Sequence, residues 1–339
     1  MKLKDRITVL EKLGKQLQQK DERLEAIAIR TEYENPWFTQ ENIAKAIKAI
    51  SESFLEKEKL NNWTSLYKGY DQLDQQTVGL VLAGNIPLVG FHDVLCVFVV
   101  GHRAMIKLSE KDKYLLAYLI ELMIGFDKRV ADYFEFVPKL KAFDAVIATG
   151  SNNSARYFEL YFSKYPHIIR KNRNAIAVLD GTETEADFKE LAIDIFQYFG
   201  LGCRNVSKLY VPQGYDFNPL LEVLHSYKKL AMHSKYKNNF DYNYALFILN
   251  NVAHYANGCI LLTENKSLAS RIATLHFEYY SDRKDLQNKI SQVAESIQCV
   301  VSKQNVHSDF EKVDFGKAQT PALTDYADGV DTMQFLLSL

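Results

Sequence analysis

From residue 77 onward, short apolar segments alternate with longer amphipathic segments along the chain. The short segments are rich in Val, Ile, Leu and Ala and are typical of buried strands, whereas the longer ones are typical of helices. The predicted strands are 78–83, 104–108, 134–137, 145–148, 175–179, 206–211, 259–263 and 298–301, with a further apolar segment at 272–278. The predicted helices are 87–100, 114–124, 151–162, 183–199, 219–229, 246–255 and 283–294. This alternation predicts βαβ units and parallel sheets, hence an α/β protein.

Residues 1–70 have a different pattern, which predicts helices with charged outer faces over 4–19 and 39–59 and a turn near 35–36. The first α/β pattern ends and a second begins at about residue 202. We therefore expect an N-terminal helical layer over 1–70, one α/β domain over 71–202 and another over 203–312. A loop and tail over 313–339 should pack back on the first α/β domain or on a neighbouring subunit.

The composition narrows the class of protein. The chain has 339 residues, of which 47% are hydrophobic, as in a globular enzyme. Its 41 Lys and Arg nearly balance 42 Asp and Glu, so no overall field favours nucleic acid or anionic membranes. The opening segment lacks an apolar signal core, and no apolar run reaches the roughly 18 residues of a membrane span. We expect a soluble, cytoplasmic protein.

The four cysteines are far apart and have no paired spacing, which argues against a zinc site and fits a reducing compartment. Cys96, Cys259 and Cys299 lie in apolar segments and are expected to be buried and inert. Cys203 differs, because glycines precede it at 200 and 202 and Arg204 follows it. An electropositive, partly exposed turn favours a reactive thiolate, although a small apolar residue at a turn would give the same pattern.

Polar side chains follow the first two predicted strands. Asn85 comes after strand 78–83, where its amide could stabilise an oxyanion, or could cap a helix starting near Pro87. Lys107 ends the second strand and precedes Ser109 and Glu110. These side chains could bind a phosphate and sugar hydroxyls, or could belong to a charged helix cap.

The segment Thr149-Gly150-Ser151 lies between a predicted strand and a helix. A helix start with available backbone amides suits a pyrophosphate, but the spacing matches no standard nucleotide motif. A basic cluster before strand 175–179 could contact a phosphorylated substrate or could be a solvated loop. Its members are His167, Arg170, Lys171 and Arg173.

Taken together, these loops resemble the aldehyde dehydrogenase superfamily and, within it, the bacterial acyl-CoA reductase family that supplies long-chain aldehyde to luciferase. The matching segments, in order, are Leu82-Ala83-Gly84-Asn85-Ile86-Pro87, Met105-Ile106-Lys107-Leu108-Ser109-Glu110, Ala148-Thr149-Gly150-Ser151, Gly200-Leu201-Gly202-Cys203 and Phe315-Gly316. They cover about residues 70–339 in the superfamily's order.

The resemblance implies an aldehyde dehydrogenase-like fold, with a Rossmann-type cofactor domain over 71–202 and a catalytic thiol domain over 203–312. It implies that Cys203 is the nucleophile and that Asn85 binds the oxyanion. It also implies cofactor contacts by a set of loop residues and requires no metal. That set is Lys107, Ser109 and Glu110 near the adenosine ribose and Thr149, Gly150 and Ser151 near the pyrophosphate.

Residues 169–173 stand where the superfamily has Glu-Leu-Gly-Gly-Lys, so its hydrolytic glutamate is absent. A thioester on Cys203 would then survive until hydride arrives, which favours a reductase. The late Glu-x-Phe-Gly-Pro motif is also missing around 268–272, so no residue is assigned to the second ribose. The resemblance implies a long-chain acyl-CoA or acyl carrier protein thioester as substrate. It further implies NADPH as cofactor, with NADH possible, and possible homo-oligomers.

Two other functions fit the same residues. The first is a cofactor-independent acyltransferase or thioesterase that uses Cys203. The second is a non-enzymatic scaffold that binds a partner through its aromatic N-terminal layer.

Overall fold

A computed structural model describes residues 1–70, 73–310 and 312–339. Its helices are α1 (Leu3–Leu17), α2 (Glu22–Glu34), α3 (Gln40–Phe54), α4 (Lys57–Ser65), α5 (Phe91–Val100), α6 (Leu115–Phe126), α7 (Asn152–Phe162), α8 (Glu185–Phe196), α9 (Asn218–His225), α10 (Ser234–Leu249), α11 (Arg283–Ser291) and α12 (Thr332–Leu337). Its strands are β1 (Thr77–Val81), β2 (Arg103–Lys107), β3 (Phe134–Phe136), β4 (Ala145–Thr149), β5 (His167–Arg170), β6 (Asn174–Val178), β7 (Val206–Pro212), β8 (His254–Ala256), β9 (Leu261–Glu264), β10 (Thr274–Tyr280), β11 (Ile297–Ser302) and β12 (Lys312–Val313).

The chain forms two compact units. The first contains residues 1–172 and 321–339, and the second contains residues 173–320. In the described part of the chain, no helix combines the length and apolar character that crossing a bilayer requires.

The first unit is built on a parallel five-stranded sheet of order β3-β2-β1-β4-β5. The chain runs outward from β1 through β2 to β3 and then returns to place β4 on the other side of β1. The carboxyl ends of β1 and β4 therefore flank a topological switch point, which is where ligands bind in open α/β sheets.

The N-terminal helices share one hydrophobic core with α5, α6 and the first sheet, so residues 1–70 are part of the first unit. Thr39 caps α3 as the sequence predicts, through a hydrogen bond from the Asn42 N–H to its hydroxyl. The prediction of a single helix over 39–59 is wrong, because the helical conformation is interrupted at Leu55. That side chain is buried beside Gly14, where a Cβ would lie only 2.8 Å from the Leu55 Cβ.

The last residues of the chain pack in the first unit. Helix α12 lies against α5, and the buried His102 joins it to the start of the sheet. His102 Nδ1 accepts the Gln76 N–H at 3.1 Å, so Nε2 is assigned as the donor to the Leu336 carbonyl at 2.9 Å. The Tyr326 hydroxyl accepts the indole N–H of Trp63 at 2.7 Å. The aromatic patch of the N-terminal layer thus contacts the tail.

The second unit is built on a seven-stranded sheet of order β12-β11-β6-β7-β10-β9-β8, in which β8 alone pairs antiparallel among the described strands. Residues 173–202, which the sequence groups with the first α/β domain, lie in this unit because β6 pairs with both β7 and β11.

The helix predicted over 246–255 is misplaced. Helix α10 ends at Leu249 and buries only Tyr236 and Asn243, so its periodicity is weak.

The basic segment at 167–173 is only partly a solvated loop. Residues 167–170 form β5, which the sequence analysis missed, and Arg170 at its end is buried. The Arg170 guanidinium pairs with the Asp93 carboxylate of α5 and donates to the Thr332 hydroxyl of α12 at 2.8 Å. Arg170 therefore joins three elements of the first unit, and its charge is committed to Asp93 rather than to a phosphate.

We expect Arg170→Met to lower the free energy of unfolding by about 3–5 kcal/mol, because it leaves the Asp93 carboxylate buried without its counterion. Lys171→Met is the matched control, since Lys171 forms an exposed ion pair with Glu159. It should cost less than about 1 kcal/mol. Urea unfolding followed by circular dichroism measures both, and equal losses in the two variants would contradict a structural role specific to Arg170.

Candidate active site

Cys203 lies in a turn between α8 and β7 and is partly exposed. The other three cysteines are buried. Burial raises the pKa of the Cys96 thiol well above its usual range and the pKa of Cys259 to about 12, so these thiols stay protonated at neutral pH. Among the four, Cys203 alone is partly exposed, so it is the candidate nucleophile.

The turn follows a strained connection. After α8, Tyr198, Phe199 and Gly200 have φ values of 54°, 58° and 75°, so three consecutive residues are in the left-handed region. Such a conformation costs about 1–2 kcal/mol for each residue other than glycine. Both aromatic side chains are buried, and the Phe199 ring packs on the His233 imidazole with centroids 4.5 Å apart. Strain held in place by packing is typical of functional loops.

The side chain of Asn205 forms hydrogen bonds with residues at both ends of this connection. Its Nδ2 donates to the carbonyls of Asp194 and Gln197, both at 2.9 Å, and its Oδ1 accepts the Gly202 N–H at 2.8 Å. The Asn205 N–H also donates to the Gly202 carbonyl at 3.1 Å, which closes a turn around Cys203 and Arg204. Asn205 is 2% exposed.

Asp194 anchors the end of α8 to the loop that contains the late Phe-Gly segment. Its carboxylate accepts the N–H groups of Gly316 at 2.7 Å and Ala318 at 3.0 Å. Burial raises the pKa of Asp194 to about 7. Gly316 has a φ of 76°, a backbone conformation that a residue with a side chain adopts only with strain.

In the first unit, Asn85 lies in the loop between β1 and α5. Helix α5 begins at Phe91 with Gly90 as its N-cap, so Asn85 does not cap it, contrary to the second interpretation of the sequence. Leu88 in this loop has a φ of 56°, and its N–H donates to the Asp112 Oδ2 at 2.8 Å. The buried Asp112 thus holds the Asn85 loop, while its Oδ1 has no hydrogen-bond partner within the described residues.

The residues after β2 do not cap a helix either, because α6 begins only at Leu115. Lys107 is the last residue of β2, and its carbonyl accepts the Leu82 N–H at 3.1 Å. Ser109 accepts the Lys111 N–H at 3.3 Å and lies so close to Gly84 that a Cβ there would be 2.4 Å from its hydroxyl. Glu110 is exposed and pairs with Lys113.

The Thr149-Gly150-Ser151 segment forms a helix start, as the sequence predicts. Ser151 is the N-cap of α7, and its hydroxyl accepts the Ser154 N–H at 3.2 Å. Gly150 packs beneath the Phe158 ring, which a Cβ would approach to 2.9 Å. Thr149 and Gly150 are partly exposed and Ser151 is exposed.

Strand register brings the three loops of the first unit to one edge. Val81, at the end of β1, pairs with Lys107 of β2 on one side and with Ala148 of β4 on the other. The loops that carry Asn85, Lys107 and Gly150 therefore leave the same carboxyl edge, and the helix start at Ser151 adds available amides. This arrangement suits a dinucleotide. No cluster of metal-binding side chains occurs among the described residues.

Cys203 is positioned differently, because it precedes β7 and thus lies at the amino end of a strand. Sequence reasoning missed Asp112, Asp194 and Asn205. Asn205 could have been identified from its position two residues after the candidate nucleophile. Nothing in the sequence assigns hydrogen-bond partners to Asp112 and Asp194.

Several solved structures with a similar fold are aldehyde dehydrogenases. Aldehyde dehydrogenase 21 from Physcomitrella patens in complex with succinate is 14% identical, with a TM-score of 0.69 over 100% of this chain and 84% of that one. The NAD+ complex of a Bacillus cereus aldehyde dehydrogenase is 13% identical, with a TM-score of 0.62 over 90% and 72%. An indole-3-acetaldehyde dehydrogenase with NAD+ is 16% identical, with a TM-score of 0.62 over 89% and 72%. No curated protein matches the chain significantly.

The predicted aldehyde dehydrogenase-like α/β fold is thus confirmed. The sequence model of the acyl-CoA reductase (LuxC) family matches residues 1–230. The chain therefore belongs to the acyl-CoA reductase (LuxC) family, as the sequence resemblance implies, and its substrate is an acyl thioester.

Asp112 gives the first unit a pH-dependent stability. Burial raises the pKa of this carboxyl from 3.8 to about 6, so the folded state favours the neutral form and loses stability as pH rises from about 4 to about 6. Asp112→Asn keeps an acceptor for the Leu88 N–H and removes the charge. We expect the free energy of unfolding of this variant, taken relative to wild type at the same pH, to be higher at about pH 8 than at about pH 4.5. The expected increase is about 1–3 kcal/mol.

Urea unfolding of the variant and of the wild type at the two pH values measures this difference. The other carboxyl groups are the same in both proteins, so their contributions cancel. Asp132→Asn, at an exposed position, is the control and should leave the difference unchanged. A pH-independent effect of Asp112→Asn would show that Asp112 is ionised in both states.

Proposed function

We propose that this enzyme reduces acyl thioesters to aldehydes through an acyl intermediate on Cys203. The partial exposure of this thiol carries the proposal, since the other three cysteines are buried. The first unit would bind the cofactor and the second would carry the nucleophile. The substrate would be a long-chain acyl group on coenzyme A or acyl carrier protein, in a cytoplasmic enzyme that could form homo-oligomers.

In the first step, the Cys203 thiolate attacks the thioester carbonyl carbon and forms a new C–S bond. The bond to the carrier sulfur breaks, and the carrier leaves as its thiolate. The Asn85 amide would donate to the oxyanion of the tetrahedral intermediate, a contribution of roughly 3 kcal/mol. The Asp112 carboxyl supports this role, because it fixes the left-handed backbone of the loop that presents Asn85.

The carboxyl edge of the first sheet fits a nicotinamide dinucleotide. Lys107, Ser109 and Glu110 would hold the adenosine ribose, and Thr149, Gly150 and Ser151 would bind the pyrophosphate at the start of α7. When bound, the reduced cofactor would supply a hydride to the acyl carbon, and breaking of the C–S bond would release the aldehyde and return Cys203 as its thiolate. We propose NADPH as this cofactor, and the exposed Glu110 at the ribose position would tolerate NADH.

Residues 169–173 contribute no carboxylate that could activate water. Arg170 is buried against Asp93, and Lys171 pairs with Glu159. The proposed acyl group on Cys203 would therefore resist hydrolysis and persist until reduction. This supports a reductase over a thioesterase.

We expect Cys203→Ala to abolish both covalent acylation and aldehyde formation, because no other cysteine is exposed. Intact-protein mass spectrometry with a long-chain acyl-CoA measures the first, and oxidation of NADPH measures the second. Cys299→Ala removes a buried thiol and should keep both activities. Acylation of the Cys203→Ala protein would refute the assignment of the nucleophile, and continuous release of thiol without cofactor would identify a thioesterase.

Asn85→Ala and Lys107→Met should separate the two roles of the first unit. Loss of the oxyanion donor should lower kcat by about 10²–10³ with little change in KM for the reduced cofactor. Loss of the Lys107 charge should instead raise KM for the cofactor and leave single-turnover acylation intact. Steady-state kinetics with varied NADPH and NADH measure both, and equal effects on both parameters in both variants would contradict the assignments.

A further inference from the structure

We propose that Asn205 is the positioning residue that orients Cys203 for attack on a carbonyl, an inference that rests on the proposed role of Cys203. Asn205 does not itself react. It fixes the backbone on both sides of the nucleophile, so that the sulfur meets the thioester in one orientation.

The connection before Cys203 needs such a restraint. Tyr198 and Phe199 are held in the left-handed region, which side-chain-bearing residues rarely occupy, so this segment would relax if nothing opposed it. Packing of Phe199 on His233 restrains one end. The other end, from Leu201 to Cys203, is restrained by the hydrogen bonds of Asn205.

Asn205 reaches both sides of the strained segment. Its Nδ2 donates to carbonyls at the end of α8, which lack donor partners within the helix. Its Oδ1 accepts the Gly202 N–H, and its backbone N–H donates to the Gly202 carbonyl. The helix end is itself fixed, because the Asp194 carboxylate binds the N–H groups of Gly316 and Ala318. Cys203 therefore lies in a hydrogen-bonded turn that follows a helix whose end is also held by hydrogen bonds.

Only a side chain with a donor and an acceptor at this reach satisfies the site. Aspartate has the same shape, but its carboxylate would face the carbonyls of Asp194 and Gln197 with no hydrogen to donate. At 2% exposure, solvent does not replace the lost bonds. Asn205→Asp is thus a nearly isosteric change that removes both hydrogen bonds to the end of α8 while leaving the Cys203 thiol in place.

The test compares two reactions of the same sulfur in the full-length protein. Attack on a long-chain acyl-CoA requires orientation, whereas alkylation by iodoacetamide does not. We expect Asn205→Asp to slow single-turnover acylation about 10²-fold, the typical effect of a displacement of about 1 Å, and to change alkylation of Cys203 by less than about threefold. Dissociation constants for NADPH, from its fluorescence, should stay the same.

Asn243→Asp is the matched control, because Asn243 is also a buried asparagine of the second unit and donates to the Ile272 carbonyl at 2.9 Å. It should leave both reactions of Cys203 within about threefold of wild type. If Asn205→Asp fails to fold, Asn205→Ser is measured instead, since its shorter side chain keeps one hydroxyl but cannot span the same partners.

Acylation of the Asn205 variants at the wild-type rate would overturn the proposal. So would a parallel loss of acylation and alkylation, which would show general damage to the loop. If Cys203→Ala is still acylated, the proposed function fails instead. If Cys203→Ala is inert while Asn205→Asp acylates normally, the proposed function stands and this inference alone fails.

Discussion

A polar side chain that water cannot reach must find its hydrogen-bond partners inside the protein, and this constraint shapes both candidate loops. In the first unit the buried Asp112 holds the Leu88 N–H, which fixes the loop that carries Asn85. In the second unit the buried Asn205 holds both sides of the turn that carries Cys203. In each case a residue that meets no substrate stabilises a backbone conformation that would otherwise relax, and each partner lost would cost about 1–3 kcal/mol.

The two sheets use opposite edges for their candidate residues. In the first unit, Asn85, Lys107 and Gly150 follow the carboxyl ends of parallel strands next to the switch point, in agreement with the general rule for open α/β sheets. In the second unit, Cys203 precedes β7 at the amino end of the strand. The rule therefore locates the candidate loops of the first unit but not the thiol, which is identified from its own surroundings: glycines before it, a strained backbone and partial exposure.

The sequence predicted the elements whose apolar pattern is strong and failed where tertiary contacts override it. Strands such as β1 and β4 are buried on both faces and therefore appear as largely apolar runs. Strand β5 was missed because it ends in Arg170, whose charge is paired with Asp93 far along the chain. The Thr149–Ser151 helix start was predicted correctly, since capping is local. The partners of Asp112 and Asp194 are set by loops distant in sequence, so local pattern gives no signal for them.

The first unit is discontinuous, with the whole of the second unit inserted between residues 172 and 321. During synthesis, the helices and sheet of the first unit therefore emerge long before α12, which supplies the Leu336 carbonyl to His102 and the Thr332 hydroxyl to Arg170. Until then, His102 and Arg170 each lack one hydrogen-bond partner, and one face of α5 lacks its cover. The first unit can therefore reach its final packing only after the whole of the second unit, including Cys203, has been synthesised.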